Sequence, residues 1–186
     1  PMVLYWRGRI NDALRRAFET ARALQDTWAS TFGNPHLGLA LAASGRYAEA
    51  QRVFTEACQI GLKYENWKFH ARALCMSAGF HLDVFDFESH QRIMQEALER
   101  ARLVGFKPTI VQTSLDLVFN YTRRNQVPPD EKILSEIAEI IKEMGGCHRW
   151  LMEARLFHAR AEVALACGKP DEAILKATES ISHSRT

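Results

Sequence analysis

The sequence predicts an all-α fold in which helical pairs stack side by side, an α-solenoid. Apolar residues recur at three- and four-residue steps along the chain, for example at Ile133, Ile137, Ile141 and Met144, which is typical of helices with one buried face. No Asn-Gly or Asp-Gly hairpin turn occurs, and no long stretch alternates apolar with polar residues, so strands are not expected. A turn motif also returns about every 40 residues, the length of two helices with their connections.

Glycine and proline mark the predicted helix ends. Glycine adopts the left-handed conformation that follows a helix, and proline suits a first turn, whose N–H groups have no partner within the helix. The predicted breaks, in order, are Gly33-Asn34-Pro35, Gly61, Gly105 with Pro108, Gly145-Gly146 and Gly168-Lys169-Pro170. The nine predicted helices span residues 10–31, 35–43, 47–60, 65–83, 87–104, 109–124, 129–144, 148–167 and 170–183.

The internal repeat rests on aligned segments that each begin at a turn. Gly45 to Ala50 aligns with Gly8 to Ala13 and with Gly168 to Ala173, since each has an acid just before an alanine five residues after the glycine. The segments that begin at Phe85 and at Asn125 fit the same pattern more loosely. A unit of this length, made of two helices, has to stack on its neighbours to bury its apolar faces.

One of these units resembles the tetratricopeptide repeat (TPR). Leu37-Gly38 stands where that family has its Leu-Gly pair, and Ala50-x3-Phe54 stands where it has Ala-x3-Phe. The resemblance implies a right-handed TPR-like α-solenoid of about four helical hairpins, with an unpaired N-terminal helix over 10–31.

A second phrase resembles longer, more divergent repeats. Ala97-Leu98-x-x-Ala101-Arg102-x-x-Gly105 is similar to the helical-repeat regions of maltose-activator-type regulators and related large bacterial signalling proteins. The resemblance implies a non-catalytic protein-interaction module, a cytoplasmic sensor or scaffold segment in signal transduction or transcription regulation. We expect residues 1–186 to form a single helical-repeat domain that is a fragment of a longer chain, since the sequence starts at Pro1.

Composition and charge argue against several classes of partner. The 24 Lys and Arg against 22 Asp and Glu give a net charge of +2, so no strong field attracts nucleic acid or an acidic membrane surface. No apolar run approaches the roughly 20 residues that span a bilayer. The arginines near the start are interleaved with Asp12, Glu19 and Asp26, which favours a solvated helix face over a phosphate-binding one. The four cysteines are far apart in apolar segments, as expected of reduced, buried thiols.

No catalytic or metal-binding motif is present, and we expect no cofactor and no metal. The seven histidines are scattered, and none pairs with another at a helical spacing. His158 and Glu162 are one helical turn apart, so they form either an acid–base pair or, as we favour, a surface ion pair.

The TPR resemblance implies that ligands lie against the inner, concave face of the solenoid. That face suits an amphipathic helix or an extended apolar peptide, unless tight packing of the long repeats buries it. The alternative function is a small-molecule effector domain or enzyme, with a pocket around Met76, Phe119 and His158. The predicted concave-face residues are His36, Leu39, Met76, Asp116, Phe119, Arg123, His158 and Glu162.

The first helix carries a further predicted surface. Leu14, Phe18, Leu24 and Trp28 form an apolar stripe for which the sequence supplies no full partner helix. Since solenoids need polar caps at their ends, this stripe indicates either missing upstream repeats, which we favour, or a face for a homodimer.

Overall fold

The computed structural model describes residues 4–5, 7–23, 30–126 and 131–185. Within these residues the chain forms helices and turns without a strand, which confirms the all-α prediction. None of the described helices is long and apolar enough to cross a membrane. The helices of the described part are α1 (Ile10–Ala23), α2 (Ser30–Ala43), α3 (Tyr47–Lys63), α4 (Trp67–Asp83), α5 (Phe87–Leu103), α6 (Lys107–Arg123), α7 (Glu131–Lys142), α8 (Gly146–Ala166) and α9 (Pro170–Arg185).

The predicted break at Gly33-Asn34-Pro35 is wrong. Helix α2 begins at Ser30, so Pro35 lies inside it, and residues 30–31 belong to α2 rather than to the first helix. An internal proline removes one backbone hydrogen bond and costs about 3 kcal/mol. Burial of the apolar side chains of Pro35 and Leu37 opposes that cost, an effect that the local sequence signal does not contain.

The turns between helices recur at a constant spacing. Residues 45, 65, 85, 105 and 125, which are twenty apart, all have positive φ, between 51° and 76°. Three of these residues are not glycine, namely Glu65, Phe85 and Asn125. All five residues that begin the aligned segments of the sequence, at 8, 45, 85, 125 and 168, have this left-handed conformation.

The turns at residues 45, 65, 85 and 125 close their helices in the same way. The N–H after the left-handed residue donates to a carbonyl five residues earlier, from Arg46 to Leu41 and from Asp86 to His81, both at 2.9 Å. This bond satisfies a carbonyl that the helix end leaves unpaired. Because the closure is short, helices α2, α3, α4 and α5 are joined by three-residue connections.

The chain falls into two compact units, Pro1–Val104 and Gly105–Thr186. In the first, α1 packs on α2, α2 on both α3 and α4, and α4 on α3 and α5. Its core contains Leu37, Leu41, Phe54, Met76 and Phe80. The single-domain interpretation of residues 1–186 stays a prediction.

In the second unit, α8 packs on α6, α7 and α9, and α6 also contacts α7. Small and branched apolar side chains fill the interior of this unit. The fully buried ones include Val111, Leu115, Leu134 and Ala159. This packing places one face of α6 against α8, which is where several of the predicted site residues lie.

Candidate functional site

Five of the eight predicted concave-face residues come together in the second unit. Asp116, Phe119 and Arg123 lie on one face of α6, and His158 and Glu162 lie one turn apart on α8. Because α6 and α8 are packed together, these side chains form a single cluster.

Glu162 is the hydrogen-bond acceptor at the centre of the cluster. Thr122 Oγ1 donates to its Oε2 at 2.8 Å, His158 Nε2 lies 3.2 Å from its Oε1, and Arg123 Nη2 lies 3.5 Å from the same Oε1. The predicted contact between His158 and Glu162 is therefore present, but as part of a network that also joins α8 to α6.

Opposing effects act on the pKa of Glu162. Burial alone would raise it, but the hydrogen bonds from His158 and Thr122, together with the positive charge of Arg123, outweigh burial and lower the pKa below its ordinary value. Glu162 is therefore held as a carboxylate, which makes it a poor proton acceptor. This arrangement suits a structural and binding role better than acid–base catalysis.

Phe119 forms the floor of the cluster and is only 3% exposed. The His158 ring lies against it with 4.8 Å between ring centroids. The guanidinium carbons of Arg123 and Arg155 lie 5.7 and 5.6 Å from its ring centroid. Cations favour the faces of aromatic rings, so Phe119 helps to orient both arginines.

Asp116 and Arg155 form an ion pair beside Phe119. The Asp116 side chain is buried and that of Arg155 is mostly buried. Removing either charge from water alone would be costly, so each side chain compensates the charge of the other. The charge of Arg155 is used within the protein, whereas Arg123 reaches the surface with 36% of its side chain exposed.

Sequence reasoning missed Thr122 and Arg155, although the repeat spacing contained a signal for both. The contacts that cross from α6 to α8 join residues 39 or 40 apart: Asp116 with Arg155, Thr122 with Glu162, and Arg123 with Glu162. This separation is one repeat length. A search for complementary polar residues one repeat apart would have found them.

The three predicted site residues of the first unit lie in or beside its core. Met76 is only 5% exposed and packs with Phe80, while Leu39 is half-buried and packs against the same core. His36 is also half-buried. Met76, like Phe119 in the second unit, therefore belongs to the packed interior, which is the alternative that the sequence left open.

The predicted apolar stripe of α1 is described only in part, because Leu24 and Trp28 lie outside the described residues. Leu14 is half-buried and packs against the core of the first unit, so it is not part of an open face. Phe18 is exposed, and the guanidinium carbon of Arg46 lies 5.6 Å from its ring centroid.

Other predicted features can be placed among the described residues. Arg9 and Arg15 both pair with Asp12, as expected of a solvated face. No group of His, Cys, Asp and Glu able to hold a metal ion occurs in the described ranges. Cys58, Cys75 and Cys167 are not disulfide-bonded, and the side chain of Cys147 is outside the described part. Cys75 is buried as predicted, whereas Cys167 is exposed, so the expectation of a buried thiol is wrong there.

Comparison of the chain with protein-family models, with curated proteins and with solved structures finds no match. The geometry of the cluster and the recurrence of the turns are therefore the basis for assigning a function.

Proposed function

We propose that the chain is a non-catalytic protein- or peptide-interaction module, a TPR-like right-handed α-solenoid. The constant spacing of the turns supports this proposal. Helices α3, α4, α5 and α6 are each 17 residues long and are separated by three-residue turns. Equal helix–turn units of this kind are typical of repeat proteins, which use extended surfaces to bind other proteins.

Two glycines support the assignment of helical hairpins. Gly38 and Gly61 both lie where a neighbouring helix comes too close for a side chain, the first against Phe54 and the second against His70. Gly38 belongs to the Leu-Gly pair on which the TPR resemblance rests. A glycine at such a position lets two helices pack closely, and this requirement recurs in stacked hairpins.

The binding surface in this proposal is the outer edge of the α6–α8 cluster. The His158 side chain is 52% exposed, and Arg123 is 36% exposed. Both side chains are already held by Glu162 and Phe119. Arg123 offers guanidinium N–H donors to a ligand, and His158 offers the ring nitrogen that does not face Glu162. A ligand would therefore meet ordered polar groups, and less conformational entropy would be lost on binding.

The place of this module within a larger protein is also part of the proposal. The resemblance favours a cytoplasmic sensor or scaffold segment of a signalling or transcription-regulatory protein, with a protein or peptide partner. Helix α1, with its exposed Phe18, then either continues into further repeats or supports a homodimer. Light scattering over a concentration series distinguishes these two, since only a homodimer gives a mass that doubles with concentration.

Selection of peptides from a random display library on the intact chain tests the binding function. We expect enriched peptides whose affinity falls about tenfold or more in Arg123→Ala and in His158→Ala, since each change removes an ordered polar group. Titration calorimetry or fluorescence anisotropy with the selected peptides gives the affinities.

Lys142→Ala is the matched control, since Lys142 is an exposed cation on α7 of the same unit that pairs with its neighbour Glu139. Selected peptides should bind this variant as tightly as the wild type. If they bind Arg123→Ala and His158→Ala equally well too, the α6–α8 cluster is not the binding surface. If no peptide is enriched above the background of an unrelated helical protein, the proposed function fails.

A further inference from the structure

His70 on α4 lies in the interior of the first unit, with only 3% of its surface exposed. Its Nδ1 atom is buried, and within the described residues no donor or acceptor reaches that atom. Burying a polar atom without a partner costs free energy, and burying a positively charged ring costs much more. Protonation of His70 therefore destabilises the packed arrangement of the helices around it.

The packing around His70 leaves little room for adjustment. A Cβ on Gly61 of α3 would lie 3.0 Å from the Cα and Cβ of His70, so the two helices are in close contact here. On the other side, the Trp67 ring meets the His70 ring edge-on, with 6.3 Å between centroids. The Arg100 guanidinium of α5 covers Trp67 at 5.2 Å.

The charged groups that face His70 come from α5. Burial lowers the pKa of His70, the positive charge of Arg100 lowers it further, and the negative charge of Glu96 opposes both without cancelling them. Burial, together with the negative charge of Glu96, raises the pKa of Cys58 on α3 to about 11, so it stays an uncharged thiol. The fold therefore favours the neutral imidazole.

We propose that His70 is a pH-sensitive lock on the packing of α3, α4 and α5. The first unit is closed while the imidazole is neutral and opens as the ring takes up a proton in mild acid. The inference is independent of the proposed binding function, because it concerns helices of the first unit rather than the α6–α8 cluster.

The direction of the pH dependence follows from linkage. An unfolded histidine titrates near 6.5, and the folded one titrates lower, so below pH 6.5 the open state binds more protons than the closed state. The closed unit is favoured fully above pH 6.5 and loses stability as the pH falls below that value. Each unit of difference between the two pKa values changes the opening equilibrium up to tenfold.

Hydrogen exchange of the full chain between pH 7.5 and 5.5 tests the lock, with rates corrected for intrinsic exchange. We expect peptides from residues 47–103 to lose protection about tenfold more than peptides from 107–185 of the same molecules, which serve as the internal reference. His70→Gln should remove this difference, because glutamine does not titrate. His81→Gln, which alters an exposed pair with Asp86, should leave it in place.

A direct NMR titration of the wild type keeps the test valid even if His70→Gln folds poorly. The His70 ring proton, assigned with the variant or by through-bond spectra, should titrate below 6.5. A pKa at or above 6.5 overturns the proposal. Equal loss of protection in both units, or an unchanged pH dependence in a folded His70→Gln variant, overturns it as well.

Discussion

The ring of Phe54 fills the space into which a Cβ on residue 38 would project. Three ring atoms lie 2.7, 2.7 and 2.9 Å from that position, distances that ordinary side chains do not reach. Phe54 is fully buried in the core of the first unit, so its ring has little room to move away. Gly38 therefore sets how closely α2 approaches α3.

Gly38→Ala is expected to destabilise the protein by about 1–3 kcal/mol, and Gly38→Leu by more, because either side chain overpacks the α2–α3 contact. Urea unfolding followed by circular dichroism measures the loss. Gly79→Ala is the control, since a Cβ there meets nothing within 4 Å, and alanine's helix propensity should stabilise α4 by up to about 1 kcal/mol. An unchanged melting temperature in Gly38→Leu would contradict the assignment of α2 and α3 as a hairpin.

Phe85→Gly should stabilise the first unit by about 1 kcal/mol. Phe85 has a φ of 61° and is 73% exposed, so it bears the steric cost of a left-handed conformation and recovers little by burial. Asn125→Gly is the comparison, and its gain should be smaller because asparagine tolerates this conformation better. A loss of stability in Phe85→Gly on urea unfolding would mean that the contact of Phe85 with Phe87, at 6.1 Å between ring centroids, outweighs the strain.

Gly105 and Gly168 end helices as predicted, since glycine is the residue that suits a left-handed turn, whereas the break predicted at Gly61 is wrong because α3 continues to Lys63. Glu65 adopts the same left-handed turn although no glycine marks it in the sequence. Pro35 lies inside a helix although proline usually marks a helix start. At both positions packing across the unit overrides local preference, and a single sequence does not contain that information.

The α6–α8 cluster could be predicted only in part, because helical spacing shows which residues share a face but not how closely two helices pack. Helical spacing placed Asp116, Phe119 and Arg123 on one face of α6, and the structure has them together. Whether that face is open or packed depends on the distance between helices, which no single-helix pattern gives. Phe119 is therefore a buried floor rather than a groove residue, while Arg123 remains accessible.

Asp116→Ala should destabilise the second unit by about 3 kcal/mol. Removing the carboxylate leaves the mostly buried guanidinium of Arg155 without its counter-ion, which costs more than the pair itself contributes. Chemical unfolding followed by circular dichroism gives the difference.

Two further variants separate this explanation from simple loss of packing. Asp116→Leu combined with Arg155→Met removes both charges and should recover most of the lost stability. Glu139→Ala breaks the exposed pair with Lys142 and should cause no measurable loss. If the double variant is as unstable as Asp116→Ala, the ion pair is not the source of the effect.

Glu162 should make the second unit sensitive to acid. Its pKa in the folded state is below the ordinary value of 4.5, so its contribution to stability is fully present above pH 4.5 and is lost as the pH falls through the folded pKa. Glu162→Gln should therefore lower stability at pH 7 and flatten the decline below pH 5, as measured by urea unfolding at a series of pH values. Thr122→Val removes one of the donors that lower this pKa, so it should give an intermediate profile. A full wild-type decline in Glu162→Gln would show that other carboxylates, rather than the network joining α6 to α8, are responsible for the acid sensitivity.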